Sequence, residues 1–203
     1  MEQTQCRTGQ NTARHPVHRP GHPDLGNVKK VADNVTEQQV TILEATGHDL
    51  DDIADMAREI WPICFKSIIS PDQIDYMLEM MYSPKTLAND LKEGVVYWRA
   101  VVDNGIVGYA ALGPCEKMDK MKLHKLYVHP AWHGRGYGSL LLAQVEQYAR
   151  SRGCRTLVLS VNRKNAAAIT VYRKHGFEIV GELASEIGGG FVMDDFLMAK
   201  TVG

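Results

Sequence analysis

Apolar residues recur at helix-like and strand-like spacings from about residue 40 onward, and these spacings predict the elements of the first half of the chain. The run Val40–Leu43 predicts a first strand. Three helices are predicted next: one that begins at Asp49 and is interrupted by Pro62, one capped by Ser70-Pro71, and one from Pro84 to Lys92. Two strands follow at Val95–Val102 and Ile106–Leu112, joined by the hairpin turn Asp103-Asn104-Gly105.

The second half of the chain alternates strands and helices around a glycine-rich segment. Met121–Arg150 reads as a strand, a glycine loop and a helix. Thr156–Val161 is a nearly continuous apolar run, which predicts a strand covered on both faces. Asn165 can cap a helix over Ala166–His175 that Gly176 ends. The last strands are predicted at Phe177–Val180 and Phe191–Ala199, separated by Gly188-Gly189-Gly190.

Residues 1–38 differ from the rest because they contain hardly any large apolar side chains. Such a segment cannot bury enough surface to order itself, so we predict a disordered N-terminal extension over 1–38 and a folded domain over 39–203. His15, His18 and His22 are interleaved with prolines, a composition that favours a solvated tail over a metal site. We expect no metal.

Composition and charge exclude several classes of partner. The chain has 203 residues and a net charge of −1, so no global basic field indicates nucleic acid or an anionic membrane. The four cysteines are scattered without a C-x-x-C pair, which argues against a zinc site or a disulfide framework and favours a reduced cytoplasm. No apolar run approaches the length of a membrane span, and the first ten residues lack the apolar core of a signal peptide.

The glycine loop between the predicted strand and helix has the chemistry of a phosphate site. Glycines alternate at Gly134, Gly136 and Gly138, and they let the backbone approach a ligand closely. The helix that follows presents unpaired N–H groups and a partial positive charge to an anion. The dinucleotide pattern G-x-G-x-x-G fails because Ser139 or Leu141 stands where its third glycine belongs, and no Lys follows any glycine as a P-loop requires.

The loop fits the Q/R-x-x-G-x-G/A pattern of the GNAT acetyltransferases, the GCN5-related N-acetyltransferase superfamily, with His133 where that pattern usually has Gln or Arg. The order of elements over residues 40 to 200 also resembles this family, and its text is similar to that of small-amine and polyamine members. The resemblance implies an α/β fold whose central, mixed and mostly antiparallel sheet of about seven strands is flanked by helices. It implies acetyl-CoA as cosubstrate.

A second motif of the family, N-x-x-A-x-x-x-Y-x-x-x-G-F, is present from Asn165 to Phe177. The resemblance implies that Asn165 contacts the pantetheine arm and that Tyr172 is the general acid beside the coenzyme sulfur. By themselves these residues could equally be a helix cap and a packed aromatic. The resemblance assigns the coenzyme A site to Leu126, Tyr127, Val128, His133, Gly134, Arg135, Gly136, Tyr137, Gly138, Ser139 and Asn165.

The strand before the glycine loop is where many family members carry a glutamate base. Here the neighbouring positions are Lys122 and His124, which alternation places on one face of the strand. His124 can accept a proton at neutral pH, so we predict it as the catalytic base, although a lone strand histidine is as often a packed residue.

The acceptor is predicted from negative charge. Asp72, Asp75 and Glu79 share one helix face, an arrangement that is most often solvated surface. Together with Asp194 and Asp195 they would attract a cation. We therefore predict an N-acetyltransferase that acetylates a small primary amine or diamine by direct attack. The alternatives are a protein N-terminal or lysine acetyltransferase, or a coenzyme A-binding module without turnover, and a homodimer is possible.

Overall fold

A seven-stranded sheet forms the centre of the protein in a computed structural model that describes residues 39–115 and 119–203. The predicted disordered extension over 1–38 lies outside the described residues. The strands are β1 Thr41–Glu44, β2 Val96–Val102, β3 Gly105–Pro114, β4 Lys120–Val128, β5 Thr156–Asn162, β6 Glu178–Gly188 and β7 Phe191–Thr201. Their order is β1-β2-β3-β4-β5-β7-β6, and every neighbouring pair is antiparallel except β4 and β5. The predicted mixed, mostly antiparallel sheet is confirmed.

Helices cover the sheet on two faces, and each face has its own core. The helices are α1 Leu50–Phe65, α2 Pro71–Tyr82, α3 Pro84–Lys92, α4 Tyr137–Ser151 and α5 Ala166–Lys174. One core, called here the α1–α3 core, includes Ile60, Trp61 and Tyr82 packed against β2 and β3. The other, the α4–α5 core, includes Leu141, Val145 and Ile169 packed against the opposite face. A ligand that passes through the sheet therefore meets different residues on its two sides.

The predicted interruption of α1 at Pro62 is wrong. The helix continues to Phe65 with Pro62 inside it. Proline removes one backbone hydrogen bond and disfavours a helix interior. However, Pro62 lies on the exposed side, where water can satisfy the carbonyl it leaves free, while Trp61 on the buried side and Phe65 one turn later keep the helix on the α1–α3 core.

Strand β6 is much longer than the predicted Phe177–Val180. It extends to Gly188 and pairs with β7 along its length. Its side chains are mostly exposed and include Glu178, Glu182 and Glu186, so it lacks the alternation that identifies a half-buried strand. Charged residues are typical of an edge strand, where they discourage pairing with another chain.

Candidate active site

The parallel pair β4 and β5 is hydrogen-bonded at one end only. Its pairing is limited to Lys120↔Thr156, Met121↔Leu157 and Lys122↔Val158. Beyond this point β4 pairs only with β3, and β5 pairs only with β7. The facing edges of β4 and β5 therefore part and leave a cleft in the middle of the sheet. Backbone N–H and C=O groups along such an edge can pair with an extended ligand as another strand would.

The glycine loop lies at the far end of β4 and has the backbone of an anion site. Gly134 and Gly136 have φ values of +78° and +82°, and a Cβ atom at either position would meet no atom within 4 Å. The backbone N–H groups from Arg135 to Gly138 have no acceptor within the described ranges. These free donors stand at the N-terminus of α4, where the helix dipole also favours an anion.

His133, which departs from the family pattern, connects this loop to β4. Its Nε2 lies 2.8 Å from the carbonyl oxygen of Val128. A carbonyl can only accept, so Nε2 carries the proton and Nδ1 remains available on the exposed side of the ring. The substitution therefore keeps a polar side chain at the loop and fixes the loop against the end of β4.

The second motif faces the cleft from α5. The Oδ1 atom of Asn165 accepts a hydrogen bond of 3.1 Å from the Ala168 N–H and so caps α5, which leaves the Asn165 amide N–H donors for a ligand. At the other end of α5, His175 Nε2 lies 3.1 Å from the Ser139 hydroxyl in the first turn of α4. This contact joins the two predicted halves of the cofactor site, a link that neither motif predicts.

Tyr172 packs on Phe177 at a ring distance of 5.7 Å on the α4–α5 side. Burial raises the pKa of Tyr172 to about 12. Its hydroxyl has no partner within the described ranges. The group is therefore a protonated donor throughout the physiological range, and its hydrogen bond is free for a ligand in the cleft.

A β-bulge reorganises the middle of β4. Lys125 pairs with Ala111 and Leu123 pairs with Leu112, so His124 is an extra residue between two paired ones. Leu123 packs in the α4–α5 core, whereas the neighbouring Lys125 side chain lies on the opposite side. Without the bulge, alternation would place both on one face.

His124 lies over a glycine of β3. A Cβ atom at Gly113 would be 2.8 Å from His124 Nε2, so glycine is needed to leave room for the imidazole. Burial of the imidazole, followed by the positive charges of Lys122 and Lys125, lowers the pKa of His124 to about 4. The residue as a whole is exposed, so burial alone is a weak cause. Repulsion by the two ammonium groups lowers the pKa of His124 in the same direction. His124 is therefore neutral at pH 7.

Lys125 forms a buried polar group with α3 and β2. Its Nζ lies 3.0 Å from Asp90 Oδ2 and 2.8 Å from the Tyr97 hydroxyl, which also donates to Asp90. Burial lowers the pKa of Lys125, and the charge of Asp90 opposes that shift. Every charged group in this cluster has a partner, so its role is to hold β4 against the α1–α3 layer.

The α1–α3 side of the cleft has an aromatic wall formed by Trp61, Phe65 and Tyr127, with ring distances of 4.6 to 6.3 Å. Trp61 was not identified from the sequence, and its contact with Tyr127 joins residues 66 positions apart that no local pattern connects. Ring faces of this kind attract cations.

Helix α2 is attached to the β6–β7 hairpin near this wall. The Tyr76 hydroxyl donates to the Ile187 carbonyl at 2.6 Å, and Gln73 Nε2 donates to the Val192 carbonyl at 3.1 Å. The predicted acceptor residues Asp72, Asp75 and Glu79 lie on the same helix, and all three are exposed.

Two kinds of site are not found in the described part of the chain. No cluster of three or more His, Cys, Asp or Glu residues there could hold a metal ion. No helix within residues 39–115 or 119–203 is long and apolar enough to cross a membrane.

The chain is similar in sequence to several known proteins. The sequence profile of the acetyltransferase (GNAT) family matches residues 50–177. A spermidine N(1)-acetyltransferase of Thermoplasma acidophilum is 24% identical over 160 residues, which cover 76% of this chain and 96% of that protein. An uncharacterized N-acetyltransferase of Mycobacterium bovis is 30% identical over 156 residues, which cover 75% of this chain and 97% of that protein.

A solved structure has the same architecture. The PaiA N-acetyltransferase from Thermoplasma acidophilum, crystallised in complex with coenzyme A, superimposes with a TM-score of 0.69 at 25% identity, covering 80% of this chain and 99% of that one. The predicted fold class is confirmed by this likeness.

The open glycine loop leads to a prediction about coenzyme A affinity. Gly136→Val should weaken coenzyme A binding by at least about tenfold, because a β-branched side chain at a positive φ displaces the free amides and fills the space a phosphate needs. Gly153→Val is the matched control, since Gly153 also has a positive φ of +72° and open surroundings but ends α4 at its other terminus. Calorimetric titration that shows equal affinities for the two variants would contradict the phosphate-loop assignment.

The lowered pKa of His124 leads to a prediction about stability. The unfolded chain binds a proton at His124 near pH 6.5, whereas the folded protein binds it only near pH 4. The unfolded state therefore holds more protons in this window, and His124 makes the free energy of unfolding fall as the pH drops from about 6.5 to about 4. His124→Gln should have a shallower pH dependence in denaturant titrations below pH 6.5 and a slope parallel to wild type above pH 7.

Proposed function

Because the chain belongs to the acetyltransferase (GNAT) family, we propose that it transfers the acetyl group of acetyl-CoA to a small primary amine or diamine by direct attack of the amine on the thioester. Acetyl-CoA is the cosubstrate of this family. The observation that carries the proposal is the gap between β4 and β5: the glycine loop with its free amides follows β4, and α5 with the unpartnered hydroxyl of Tyr172 follows β5. We also propose a cytoplasmic location, because the four cysteines are scattered along the sequence without a C-x-x-C pair.

The residues around the cleft fit coenzyme A. The amides from Arg135 to Gly138 would hold the pyrophosphate, and the Asn165 amide together with the unpaired edge of β4 would hold the pantetheine arm. When bound, acetyl-CoA supplies an acetyl group activated as a thioester. The N–H groups of Leu126 and Val128, which alternation along β4 turns away from β3, would stabilise the negative charge that develops on the carbonyl oxygen.

Tyr172 would act on the leaving sulfur chiefly by donating a hydrogen bond. With its pKa near 12 and an ordinary thiol near 8.5, full transfer of the proton is uphill by about 5 kcal/mol. Burial that raises the pKa of a phenol also raises that of a thiolate in the same cleft, which narrows this gap. A strong hydrogen bond therefore forms first, and the proton follows as negative charge builds on sulfur.

Direct attack is favoured over an acyl-enzyme because the cysteine beside the cleft is a poor nucleophile. Cys64 lies near Tyr127, and burial raises the pKa of its thiol. The thiol form, which this shift favours at neutral pH, reacts slowly with thioesters.

A small cationic acceptor is supported by the α1–α3 side of the cleft. In the aromatic wall, Phe65 and Tyr127 are only partly buried and can contact an ammonium group, whereas Trp61 is buried behind them. The hydrogen bonds between α2 and the β6–β7 hairpin hold these two elements together on this side of the sheet. The similar spermidine N(1)-acetyltransferase acts on a polyamine. Asp72, Asp75 and Glu79 would add long-range attraction for a cation.

Tyr172→Phe should lower kcat by about a hundredfold while the affinity for coenzyme A stays within about twofold, because the hydroxyl is needed only as the thiolate develops. Tyr148→Phe is the control, since Tyr148 lies in α4 and packs on Trp98 of β2, away from the cleft. With a pKa near 12, Tyr172 should cause no basic limb below about pH 10. An activity within twofold of wild type would assign Tyr172 to packing.

A panel of acceptors tests the proposed function directly. Release of coenzyme A is measured with monoamines, diamines, a lysine peptide and peptides with free N-termini. The fastest transfer is expected for a small amine or diamine. Faster transfer to a peptide would favour the protein acetyltransferase alternative, and thermal stabilisation by coenzyme A without transfer to any acceptor would favour the binding module.

A further inference from the structure

A carboxylate on β7 is buried without a protein partner. Lys125 and Asp195 are the charged residues buried in the described ranges, with exposed fractions of 5% and 3%. Lys125 is paired with Asp90, whereas Asp195 has neither a hydrogen bond nor an ion pair there. An unpaired buried charge is costly and is seldom retained without a function.

Asp195 points to the acceptor side of the sheet. On β7, Met198 and Phe196 pack with the α4–α5 core, whereas Met193 packs with the α1–α3 core. Alternation along the strand places Asp195 on the same side as Met193. Asp195 also pairs in register with Asn162, at the end of β5, where β5 has already separated from β4. The carboxylate therefore lies beside the cleft.

The carboxylate keeps an opening to solvent. Two polar side-chain atoms in the described ranges are fully shielded from solvent and have no hydrogen-bond partner. They are Trp61 Nε1 and Arg99 Nε. The oxygens of Asp195 are also unpartnered but are not among these sealed atoms. Part of the carboxylate therefore keeps some contact with solvent although the residue is only 3% exposed.

The groups around Asp195 are those of the proposed reaction. Burial raises the pKa of Tyr127 far above its usual value, and Tyr82, Tyr172, Cys64 and Asp195 raise it further. The Tyr127 hydroxyl, which has no partner in the described ranges, thus lies within the electrostatic reach of both Asp195 and Tyr172.

Charged groups from two strands act on Asp195 itself. Burial raises the pKa of Asp195, the positive charge of Lys122 on β4 opposes this shift, and the neighbouring Asp194 on β7 adds to it. The carboxylate is therefore a stronger base than an ordinary aspartate. The positive charge of Lys122 favours the ionised form of Asp195.

We propose that Asp195 binds the ammonium form of the acceptor amine and takes its proton before the amine attacks the thioester. This inference rests on the proposed acetyl transfer and identifies the residue that prepares the nucleophile. At pH 7 only about 1 in 2,500 molecules of an amine with a pKa of 10.4 is neutral, so a residue that binds the ammonium form and accepts its proton lets the enzyme use the predominant species.

The step balances in protons and electrons. The N–H bond of the ammonium breaks, its proton moves to a carboxylate oxygen of Asp195, and the electron pair stays on nitrogen. That pair forms the new C–N bond as the C–S bond breaks, and Tyr172 donates to the departing sulfur. After the C–N bond has formed, the nitrogen loses a second proton, which restores the hydroxyl of Tyr172 after it has protonated the sulfur. Asp195 releases the proton it accepted to solvent.

Coulomb attraction favours Asp195 over His124 for this role. The positive charges of Lys122 and Lys125 both act on His124 and repel an ammonium group there, whereas at Asp195 the charge of Lys122 is opposed by the carboxylate itself. The negative charge of Asp195 attracts the ammonium group, and the aromatic wall on the same side of the sheet does so as well.

The test compares Asp195→Asn with Glu182→Gln in the full chain. Glu182 is an exposed carboxylate on the neighbouring strand β6 and is paired with Arg163 at 2.8 Å. Asp195→Asn should lower kcat/KM for the best amine of the panel by at least about a hundredfold at pH 7, whereas Glu182→Gln should stay within about threefold. Both variants should bind coenzyme A with wild-type affinity, which shows that the fold and the cofactor site are intact.

The pH profile separates proton transfer from packing. In Asp195→Asn, solvent must deprotonate the amine, so kcat/KM should rise about tenfold per pH unit up to the pKa of the amine near 10.4. A purely structural residue would give a loss that is the same at every pH. If Asp195→Asn fails to bind coenzyme A, Asp195→Ser, which leaves space for water, is measured in the same way.

Two results would overturn the inference. The first is a kcat/KM for Asp195→Asn within threefold of wild type across the pH range. The second is a hundredfold loss of kcat/KM in His124→Ala together with a loss in Asp195→Asn that is the same at every pH. Failure of the proposed function looks different, because wild-type protein would then transfer acetyl to no small amine at all.

Discussion

The short parallel pairing of β4 and β5 is the constraint on which the candidate site depends. After Lys122 and Val158 the two strands separate, and each keeps its other neighbour, β3 or β7. The backbone N–H and C=O groups of strands inside a sheet are normally hydrogen-bonded to a neighbouring strand, and here those on the facing edges of β4 and β5 are left for a ligand. The glycine loop and α5 stand at this gap, and the contact between Ser139 and His175 keeps them together. A continuous β4–β5 ladder would close the site even if every motif residue were retained.

Local signals predicted the elements well because their causes lie within a few residues. Ser70 accepts a hydrogen bond from the Gln73 N–H and starts α2, and Asn165 caps α5 in the same way. These caps, the Asp103-Asn104-Gly105 turn and the glycine loop depend on nearest neighbours. Periodicity also placed Lys122 beside His124, which agrees with the effect of Lys122 on the imidazole.

The remaining features depend on contacts between distant parts of the chain. The full length of strand β6 is recognised only through its pairing with β7. The β-bulge at His124 likewise appears only when β3 and β4 are paired, because their register shifts by one residue there. Asp195 could be named as a negative charge from the sequence. Its burial without a partner follows from the crossing of β7 beside β5, which no short window of sequence contains. The passage of α1 through Pro62 likewise depends on the packing of Trp61 and Phe65.

A slot that passes through a sheet has two mouths. The free amides and Asn165 lie with α4 and α5, whereas Tyr127 packs with the α1–α3 core on the other face. Two substrates that enter from opposite faces use separate openings, so both can be bound at the same time. Such an arrangement favours a ternary complex over a double-displacement cycle. Initial-rate lines at different acceptor concentrations would then intersect, and each product would compete only with the substrate that uses its own mouth.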